Sequence, residues 1–530
     1  MRVPISRREA LRELSALFAI PFIRWPERLA DPLAGTIAEY QAGRMRGDWT
    51  AAEITMQALD RAAAWNAKLH NVDLLSRQTA IDEARASDAR LRRKALRGPL
   101  DGAPVFAKSI YDMAGLPTTA SSLDWAKLFL ETVRRDSIEV ARMRAAGAVV
   151  LGKTVADDFA YHGNGTSSLS GQVRNPYDRT GTKTPGGSSA GSAVSVATGI
   201  AFAALGTDDG GSNRIPAQFT GVVGMKPTFG LVPRSGVIPT WPYLDTHGPL
   251  ARYVADAALL LDAIAGPDSS DGLALRAPWN RGHLNRLNDD ALRGARLGLV
   301  EAHVPRAQMT TESLAAFDRA VSDLKGAGAI VESYEPPVTR ASVRTLFAEA
   351  AKARGDVAPN HESPAATANA LFRYFARHGG DARSNVERGL AAYQAFYDVL
   401  PKDWREMQKL IVQPYEEDLA GRSFARSRAT LVAQLAATFR ARRIDAMIYP
   451  TMPFPAPRAV DKWPDIRTTL GYGNWLGLPE VSVPSGLGAD GMPAGNISFV
   501  GLPGSDARLL ALAHSYEQKS KRFVAPPRPA

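Results

Sequence analysis

Two glycine pairs, each followed by a serine, constrain this chain more than any other feature of its sequence. They stand near the ends of the stretch PGGSSAGSAVSVATGIAFAALGTDDGGSNRIP, residues 185–216. The small apolar residues between the pairs predict a buried helix over residues 189–204. Glycine pairs allow sharp turns whose backbone N–H groups can approach a ligand closely. Ser188 and Ser212 therefore lie on turns where a serine can be a nucleophile, a proton relay or a donor to an anion.

Apolar runs of strand length alternate with helical patterns along most of the chain. The predicted strands cover residues 103–107, 148–151, 446–449, 481–483 and 497–500. The predicted helices cover residues 34–98, 138–146, 254–265, 314–326 and 507–518, and residues 341–443 are predicted to be almost entirely helical. Such alternation indicates an α/β protein whose sheet carries helices on its faces.

Composition argues against several kinds of site. The chain has no cysteine, so disulfides, thiol catalysis and cysteine-based metal sites are excluded. Its eight histidines are widely spaced, which argues against a metal site built from histidines. The net charge of +10 comes from Lys and Arg residues scattered over 530 positions rather than from one basic patch. We therefore expect no nucleic acid among the partners.

The N-terminus carries a motif that bears on localisation. Ser6-Arg7-Arg8 and the apolar run over residues 14–23 resemble a twin-arginine export signal, although Glu9 and Glu13 are acidic where such signals usually are not. A short amphipathic helix within residues 1–30 is the alternative. Export would place the protein in the periplasm, and otherwise we expect it in the cytoplasm. Neither this run nor residues 189–207 has the character of a membrane span, so none is predicted.

Lys108 follows the apolar strand predicted over residues 103–107. A lysine in such a place is poorly solvated, and burial disfavours its charged form. A neutral lysine is a competent general base. Most lysines at strand ends instead extend to water, so a catalytic role for Lys108 depends on the two serine turns.

Further motifs follow one another along the chain and together carry a family resemblance. They are PLDGAP at 99–104, AGLPTT at 114–119, LGKT at 151–154, NP at 175–176, PGGSSAG at 185–191, GTDDGGS at 206–212, RIPA at 214–217, GMKPT at 224–228, LDT at 244–246, Asn474 and GLP at 477–479. In this order and spacing the chain resembles the amidase signature family, the Ser–Ser–Lys amide hydrolases. The resemblance implies a single α/β/α layered domain with a large mixed sheet covered by helices. This catalytic domain would span residues 34–525, and residues 341–443 would shape its substrate pocket.

The resemblance also implies a role for the lysine and for each serine. Lys108 is the expected base, Ser188 the expected proton relay and Ser212 the expected nucleophile. These roles suit the chemistry, because a serine hydroxyl needs a base within hydrogen-bond reach to become a nucleophile. The Gly187–Ser188 peptide bond is expected to be cis, as in the family.

The backbone around the second serine is expected to stabilise the transition state. The oxyanion hole that the family implies consists of the N–H groups of Asp209, Gly210, Gly211 and Ser212. Asp208 and Arg214 are expected to support this loop through charge-assisted hydrogen bonds. Ser189 and Ser192 are expected to cap the following helix and to bond the loop rather than to catalyse.

Four positions depart from the family pattern without touching the three catalytic positions. They are Ser109, Ala190, Asp209 and Asn213, where aspartate, glycine, threonine and an aliphatic residue are commoner. Asp209 is the departure with a chemical consequence, because it adds a carboxylate next to the expected oxyanion hole. If its side chain points inward, this carboxylate near the acyl site is expected to disfavour anionic substrates.

These residues predict a stand-alone amidase that hydrolyses a carboxamide or N-acyl amide bond through an acyl-enzyme on Ser212. No metal and no organic cofactor is expected. The expected partner is a small-molecule amide, which the sequence does not narrow to aliphatic, aryl or peptide amides or to esters, and a homodimer is favoured by analogy. The alternative is the amidase subunit of a tRNA-dependent amidotransferase. A catalytically silent scaffold is disfavoured because all three catalytic positions are filled, and a phosphate-binding loop fails because Ser192, not lysine, follows the glycine spacing of residues 186–191.

Overall fold

A mixed sheet of eleven strands runs through the computed structural model of the chain, which describes residues 30–271, 282–466 and 468–528. The strands in chain order are β1 (Val72–Leu75), β2 (Pro104–Lys108), β3 (Val149–Thr154), β4 (Thr166–Ser167), β5 (Gly171–Gln172), β6 (Ala203–Thr207), β7 (Val223–Lys226), β8 (His247–Ala251), β9 (Arg296–Leu299), β10 (Ile330–Ser333), β11 (Ala446–Pro450), β12 (Glu480–Pro484) and β13 (Asn496–Val500). β4 and β5 form a separate two-stranded sheet. The predicted α/β class with a large mixed sheet is confirmed.

Several of the α-helices begin next to a residue whose side chain caps the first turn. The α-helices in chain order are α1 (Ile37–Arg46), α2 (Ala51–Leu69), α3 (Arg77–Arg92), α4 (Leu123–Leu128), α5 (Ile138–Ala145), α6 (Ala190–Ala197), α7 (Arg214–Phe219), α8 (Val254–Ile264), α9 (Thr311–Gly326), α10 (Val343–Ala353), α11 (Pro364–Ala376), α12 (Ala382–Gln394), α13 (Trp404–Ile411), α14 (Leu419–Arg442), α15 (Tyr472–Leu476) and α16 (Asp506–Ser520). Thr36 with Glu39 and Thr50 with Glu53 form capping boxes at the starts of α1 and α2. Each box satisfies two backbone donors that the helix itself cannot.

The strand order brings the ends of two central strands together. Across the sheet the order is β1-β3-β2-β6-β8-β7-β12-β13-β11-β9-β10. β2 and β6 are parallel neighbours, so their carboxyl ends lie at the same edge of the sheet. Every residue of both strands is buried, as expected for central strands packed on both faces. Lys108 and Thr207, the last residues of β2 and β6, therefore meet at this edge.

Two sequence predictions about local structure are wrong. The helix predicted over residues 189–204 ends at Ala197, Gly199 follows with a φ of +71°, and the chain returns to the sheet as β6. The small apolar residues of β6 suit a buried strand as well as a buried helix, so periodicity alone does not separate the two. Residues 34–98 are not helical throughout, because β1 lies between α2 and α3 and pairs with β3.

Helices α10 to α14 occupy most of residues 341–443. α10 packs against α14, and α11 packs against α12 and α13. Tyr374 of α11 and His378 beyond it both bond to the carboxylate of Asp112, at 3.1 Å and 2.7 Å, in the loop that follows β2. The helical region is thereby connected to the loop after Lys108, and its role in shaping a substrate pocket stays a prediction.

Residues 1–29 lie outside the described part of the chain. The prediction of an export signal around Ser6-Arg7-Arg8, or of an N-terminal helix in its place, falls on these residues. Within the described ranges, none of the helices combines the length and the apolar character that crossing a bilayer requires.

Candidate active site

Lys108 is fully buried at the sheet edge where β2 and β6 end. Its Nζ lies 2.7 Å from Ser188 Oγ, 2.8 Å from Thr207 Oγ1 and 3.2 Å from Ser189 Oγ. Burial lowers its pKa to about 8, and the nearby carboxyl group of Asp209 acts in the opposite direction. No ion pair to Lys108 occurs in the described part of the chain, so its amine has three hydroxyl partners and no direct counter-ion.

Ser188 is held between Lys108 and a tightly packed turn. The side chain of Ser188 is fully buried, and the Gly187–Ser188 peptide bond is cis. A Cβ on Gly187 would come within 2.8 Å of both carboxylate oxygens of Asp157, so this position has no room for a side chain. Asp157 accepts the N–H of Asn164 at 2.9 Å, and burial raises its pKa to about 7. Close packing therefore requires the glycine before Ser188.

Ser212 lies on the second glycine turn, just before α7. It is 8% exposed, whereas Lys108 and Ser188 are fully buried, so it is the most accessible of the three. Gly211 has a φ of +128°, which disfavours any residue with a side chain. The carbonyl of Ser212 accepts the N–H of Ser189 at 3.1 Å and so joins the two turns. No hydrogen bond joins the hydroxyls of Ser188 and Ser212 among the described residues, and catalytic hydrogen bonds often tighten only with substrate bound.

Asp208 and Arg214 form a buried ion pair next to the second turn. Arg214 Nε and Nη2 donate to the two carboxylate oxygens of Asp208 at 2.8 Å, and Asp208 also accepts the N–H of Gly211 at 2.7 Å. The guanidinium donates as well to Glu480 and to Asn474 Oδ1, both at 2.7 Å. Although burial raises the pKa of Asp208, Arg214 holds it well below its usual range. The donors of Arg214 are therefore directed to acceptors within the protein.

Asp209 points into the protein rather than into solvent. It is 3% exposed, and neither of its carboxyl oxygens receives a hydrogen bond from an N–H or hydroxyl of the described residues. Burial raises the pKa of Asp209 well above its ordinary value, and Asp245 raises it further. The side chain of Asp209 thus points inward, and its effect on anionic substrates stays a prediction.

Ser189 and Ser192 bond to neighbouring strands and loops. Ser189 is the cap residue of α6, but its side chain makes no cap hydrogen bond. Its hydroxyl instead donates to Asn213 Oδ1 at 3.0 Å and contacts Lys108 Nζ. Ser192 Oγ donates to the carbonyl of Leu205 in β6 at 2.9 Å. The predicted capping role is wrong for Ser189, because these partners hold its hydroxyl away from the start of the helix.

Five residues of the site received no functional role from the sequence. They are Asp157, Thr207, Asp245, Asn474 and Glu480. Thr207 could not be found as a strand end, because the small apolar residues of β6 suit a buried helix as well as a buried strand. The others lie far from both serine turns in the sequence or occur in loops without a local signal, so only the folded chain shows their contacts.

A cavity of about 1040 Å³ adjoins the site through Asp245. Its lining includes Asp245 and His247 but none of Lys108, Ser188 and Ser212. The cavity is therefore distinct from the space in front of the serines.

The chemistry of the site is that of hydroxyl and amine groups. In the part of the chain that the structure describes, no three histidine or carboxylate side chains are grouped so that they could hold a metal ion. A buried amine whose charged form is disfavoured can take a proton from a hydroxyl within hydrogen-bond distance. The arrangement can therefore activate a serine nucleophile.

Comparisons with known proteins match most of the chain and not only the site. The family model described as Amidase matches residues 53–510. A glutamyl-tRNA(Gln) amidotransferase subunit from Symbiobacterium thermophilum is 34% identical over 503 residues, which cover 91% of this chain and 96% of that protein. The protein of the same name from Salinispora arenicola is 33% identical, covering 94% of this chain and 98% of that protein. The X-ray structure of native peptide amidase from Stenotrophomonas maltophilia matches with a TM-score of 0.76 and 31% identity, over 93% of this chain and 99% of that one.

The expectation about partners is wrong. The scattered basic residues led us to expect a small-molecule amide as partner and no nucleic acid. The curated relatives are named as one subunit of an amidotransferase that acts on glutamyl-tRNA(Gln), which conflicts with partners limited to small molecules. Scattered basic residues indicate that the chain lacks a single basic surface. They do not indicate whether the chain acts as one subunit of an assembly.

Family membership rests on the extent of these matches. The family model spans most of the chain, and relatives more than 30% identical cover over nine-tenths of it. The solved peptide amidase structure shares the fold of this chain, which is built around the large mixed sheet. The chain belongs to the amidase signature family and is an enzyme that acts on the carbon–nitrogen bonds of amides.

Proposed function

We propose that the protein hydrolyses a carboxamide or N-acyl amide through an acyl-enzyme on Ser212, with Ser188 as proton relay and Lys108 as base. The observation that carries this proposal is the 2.7 Å contact between Lys108 Nζ and Ser188 Oγ, at a lysine whose pKa burial lowers to about 8. Such a lysine is partly neutral near neutral pH and can accept a proton.

The steps of the proposed reaction follow from these positions. The Ser212 hydroxyl attacks the amide carbon while its proton passes through Ser188 to Lys108. The N–H groups of Asp209, Gly210 and Ser212 receive the oxyanion, because the Gly211 N–H of the expected oxyanion hole already donates to Asp208 at 2.7 Å. A Cβ on Gly210 would meet no atom within 4 Å, which is consistent with open space there. The proton returns through Ser188 to the leaving nitrogen as the carbon–nitrogen bond breaks. Water then hydrolyses the acyl-serine ester, which releases the acid and restores Ser212.

Ammonia release from a panel of primary carboxamides tests the proposal. We expect no turnover by Ser212→Ala and a loss of about 10²–10⁴-fold in kcat for Lys108→Ala. Lys153→Ala is the matched control, because Lys153 is also fully buried with a pKa lowered to about 8 but bonds to Pro117 and Thr118 instead. Folded Lys108→Ala protein with the wild-type rate would remove the base from the proposal.

The setting with the stronger support is the amidase subunit of a tRNA-dependent amidotransferase. Relatives named as a subunit of such an enzyme match over nearly their whole length at 34% and 33% identity. In this setting the Ser212 site would free the amide nitrogen that the assembly transfers to glutamyl-tRNA(Gln).

A peptide amidase is the second candidate, and the structural comparison favours it. The solved peptide amidase structure is 31% identical and covers 93% of this chain with a TM-score of 0.76. In this setting the site would hydrolyse the C-terminal amide of a peptide.

Assays of the purified protein alone and with the other subunits of a bacterial glutamyl-tRNA(Gln) amidotransferase separate the two settings. Transfer of amide nitrogen to glutamyl-tRNA(Gln) that requires those subunits supports the amidotransferase setting. Efficient hydrolysis of peptide C-terminal amides by the protein alone, without any such transfer, supports the peptide amidase setting.

The extent of the catalytic unit and its compartment are part of the proposal. We propose that residues 34–525 form one catalytic unit and that residues 341–443 contribute walls to its substrate pocket. Mass spectrometry of the N-terminus of the protein isolated from its host tests export. Removal of the segment that holds Ser6-Arg7-Arg8 would support the periplasm, and an intact N-terminus would support the cytoplasm.

A further inference from the structure

The N–H groups of Asp209, Gly210 and Ser212 form no hydrogen bond with any acceptor of the described residues. Gly211 is the exception in this turn, because its N–H donates to Asp208 Oδ1 at 2.7 Å. Backbone donors that are shielded from water normally find a partner in a folded protein. Three open donors in one turn are therefore available to a substrate oxyanion, and their directions depend on how the peptide groups of the turn are held.

Asn474, in α15, holds the peptide group that leads into the first of these donors. The residue is buried, and its Nδ2 donates to the backbone carbonyl of Asp208 at 2.6 Å. The peptide bond between Asp208 and Asp209 is trans, and in a planar trans peptide the C=O and the N–H point in opposite directions. The Asp209 N–H therefore points away from Asn474, in a direction that this hydrogen bond determines.

The partners of the Asn474 amide define which end is oxygen and which is nitrogen. Its Oδ1 accepts a hydrogen bond from Arg214 Nη2 at 2.7 Å, and a guanidinium can only donate. Its Nδ2 faces two groups of Asp208 that only accept, the backbone carbonyl and, at 3.0 Å, the carboxylate Oδ1. The position thus requires one acceptor and one donor on a short side chain, which asparagine supplies and an ionised aspartate does not.

The bond from Asn474 to the Asp208 carboxylate extends this hold to the rest of the turn. The same carboxylate accepts the N–H of Gly211 at 2.7 Å and the N–H of Asn213 at 3.2 Å. These two bonds position the backbone on either side of Ser212. Asn474 therefore contacts both groups, carbonyl and carboxylate, through which Asp208 holds the turn.

Arg428 anchors the backbone of Asn474 to α14. Its Nε donates to the carbonyl of Trp475 at 2.7 Å, and its Nη2 donates to the carbonyl of Asn474 at 3.2 Å. The guanidinium also lies over the rings of Phe229 and Phe424, 4.5 Å and 5.0 Å from their centroids. Because α15 is held in this way, the Asn474 amide is a fixed point against which the Asp208 carbonyl is aligned.

We infer that Asn474 is a positioning residue of the oxyanion hole, which holds the Asp208 carbonyl so that the Asp209 N–H is directed at the oxygen of the tetrahedral intermediate. Asn474 acts through the backbone of the turn and does not contact the substrate. The inference rests on the proposed reaction at Ser212. Loss of its amide weakens a contact made in the transition state, so it lowers kcat and leaves KM and proton transfer to Lys108 unchanged.

Two substitutions of Asn474 remove the donor in different ways. Asn474→Asp keeps the size of the side chain and the acceptor for Arg214 but loses the donor to Asp208. Asn474→Ser adds no buried charge, and its shorter side chain does not replace the amide, so it serves as the test if the aspartate variant does not fold. Asn66→Asp is the matched control, because Asn66 Nδ2 also donates to a backbone carbonyl, that of Val72 at 2.9 Å, but next to β1 at the edge of the sheet.

The rate at which a fluorophosphonate probe labels Ser212, measured against pH, tests the inference because the phosphonyl oxygen of the probe takes the place of the oxyanion. We expect the plateau rate at high pH to fall by about 10- to 100-fold in both Asn474 variants, less than the roughly 10²–10³-fold that removal of a whole donor costs. The midpoint of the acid limb should stay within about 0.3 pH unit of wild type, because Lys108 keeps its contacts. Folded Asn66→Asp protein should match wild type in both quantities.

Turnover of an amide that the wild-type protein hydrolyses provides the second readout. We expect kcat to fall by the same factor in the Asn474 variants, with KM within about twofold of wild type. Folded Asn474 variants with the wild-type plateau rate, a rise in KM at unchanged kcat, or an equal loss in Asn66→Asp each overturn the inference and leave the proposed function standing. If the folded wild-type protein is never labelled on Ser212, the proposed function fails and the inference fails with it.

Discussion

Arg214 balances the charges next to the second serine turn. Its guanidinium is 1% exposed and bonds to two fully buried carboxylates, Asp208 and Glu480. Lys226 lies nearby, and burial together with Arg214 lowers its pKa to about 7. A buried ion pair contributes modestly to stability when intact, but the loss of one partner leaves a buried charge without compensation. The loop that presents Ser212 is therefore sensitive to this one side chain.

The first prediction concerns the removal of this guanidinium. Arg214→Ala is expected to lower the free energy of unfolding by about 3–5 kcal/mol, measured by urea denaturation, because two buried carboxylates lose their partner. Arg77→Ala is the control, since Arg77 and Asp60 form a pair at 2.7 Å with side chains 53% and 67% exposed. That control should change stability by less than about 1 kcal/mol. A loss of similar size in both variants would mean that the Arg214 network does not stabilise the fold.

The second prediction concerns the pH dependence of the site. Burial lowers the pKa of Lys108 to about 8, and only the neutral amine can accept the proton of Ser212. The rate of Ser212 labelling should therefore fall about tenfold for each pH unit below this value and level off above it. A rate that is flat between pH 6 and 9, at roughly constant stability, would contradict a lysine base.

At the scale of elements, the helix α6 lies against backbone that leaves no space for a side chain. A Cβ on Gly191 would come within 2.2 Å of the Asn71 carbonyl oxygen and within 2.6 Å of the Val155 nitrogen. Because these are backbone atoms, they cannot move aside as the end of a flexible side chain could. Close contact of this kind fixes α6, and with it Ser188, against the sheet.

The third prediction compares two helix glycines. Gly191→Ala should lower the free energy of unfolding by about 1–3 kcal/mol, because the methyl group forces the backbone apart. Gly326→Ala is the matched control, since a Cβ there would meet no atom within 4 Å. It should leave stability unchanged or raise it by up to about 1 kcal/mol in thermal or urea unfolding. An equal effect of the two substitutions would show that the contact with Asn71 and Val155 does not constrain α6.

Elements with clear local signals could be predicted from the sequence, and the others could not. The two glycine turns and the strand before Lys108 can each be recognised from adjacent residues in the sequence. The structure contains all three. The boundary between α6 and β6 has no such signal, because the same small apolar residues suit a buried helix and a buried strand. The sequence did not predict β1, an edge strand between two helices. Its four residues are too few to show the two-residue alternation that indicates a strand.

For the whole molecule, the order of strands in the sheet determines which distant residues meet. β6 lies between β2 and β8, which brings Thr207 beside Lys108 and places the loop before His247 next to the second turn. Glu480, at the start of β12, reaches Arg214 across the sheet. Sequence patterns do not encode strand order, so the contact of Glu480 with Arg214 required the fold. The family resemblance supplied the catalytic residues but not these contacts, and scattered charge gave the wrong expectation about partners.

The measurement that tests the central proposal most directly is peptide mapping of the intact protein after treatment with a fluorophosphonate probe at pH 8. We expect one adduct, on Ser212, that forms at a rate at least about 100-fold lower in folded Lys108→Ala protein. Folded Lys153→Ala protein should be labelled on Ser212 as wild type is. Labelling of a different residue, or equal labelling of Ser212 with and without Lys108, would contradict the proposal that Lys108 activates Ser212 through Ser188.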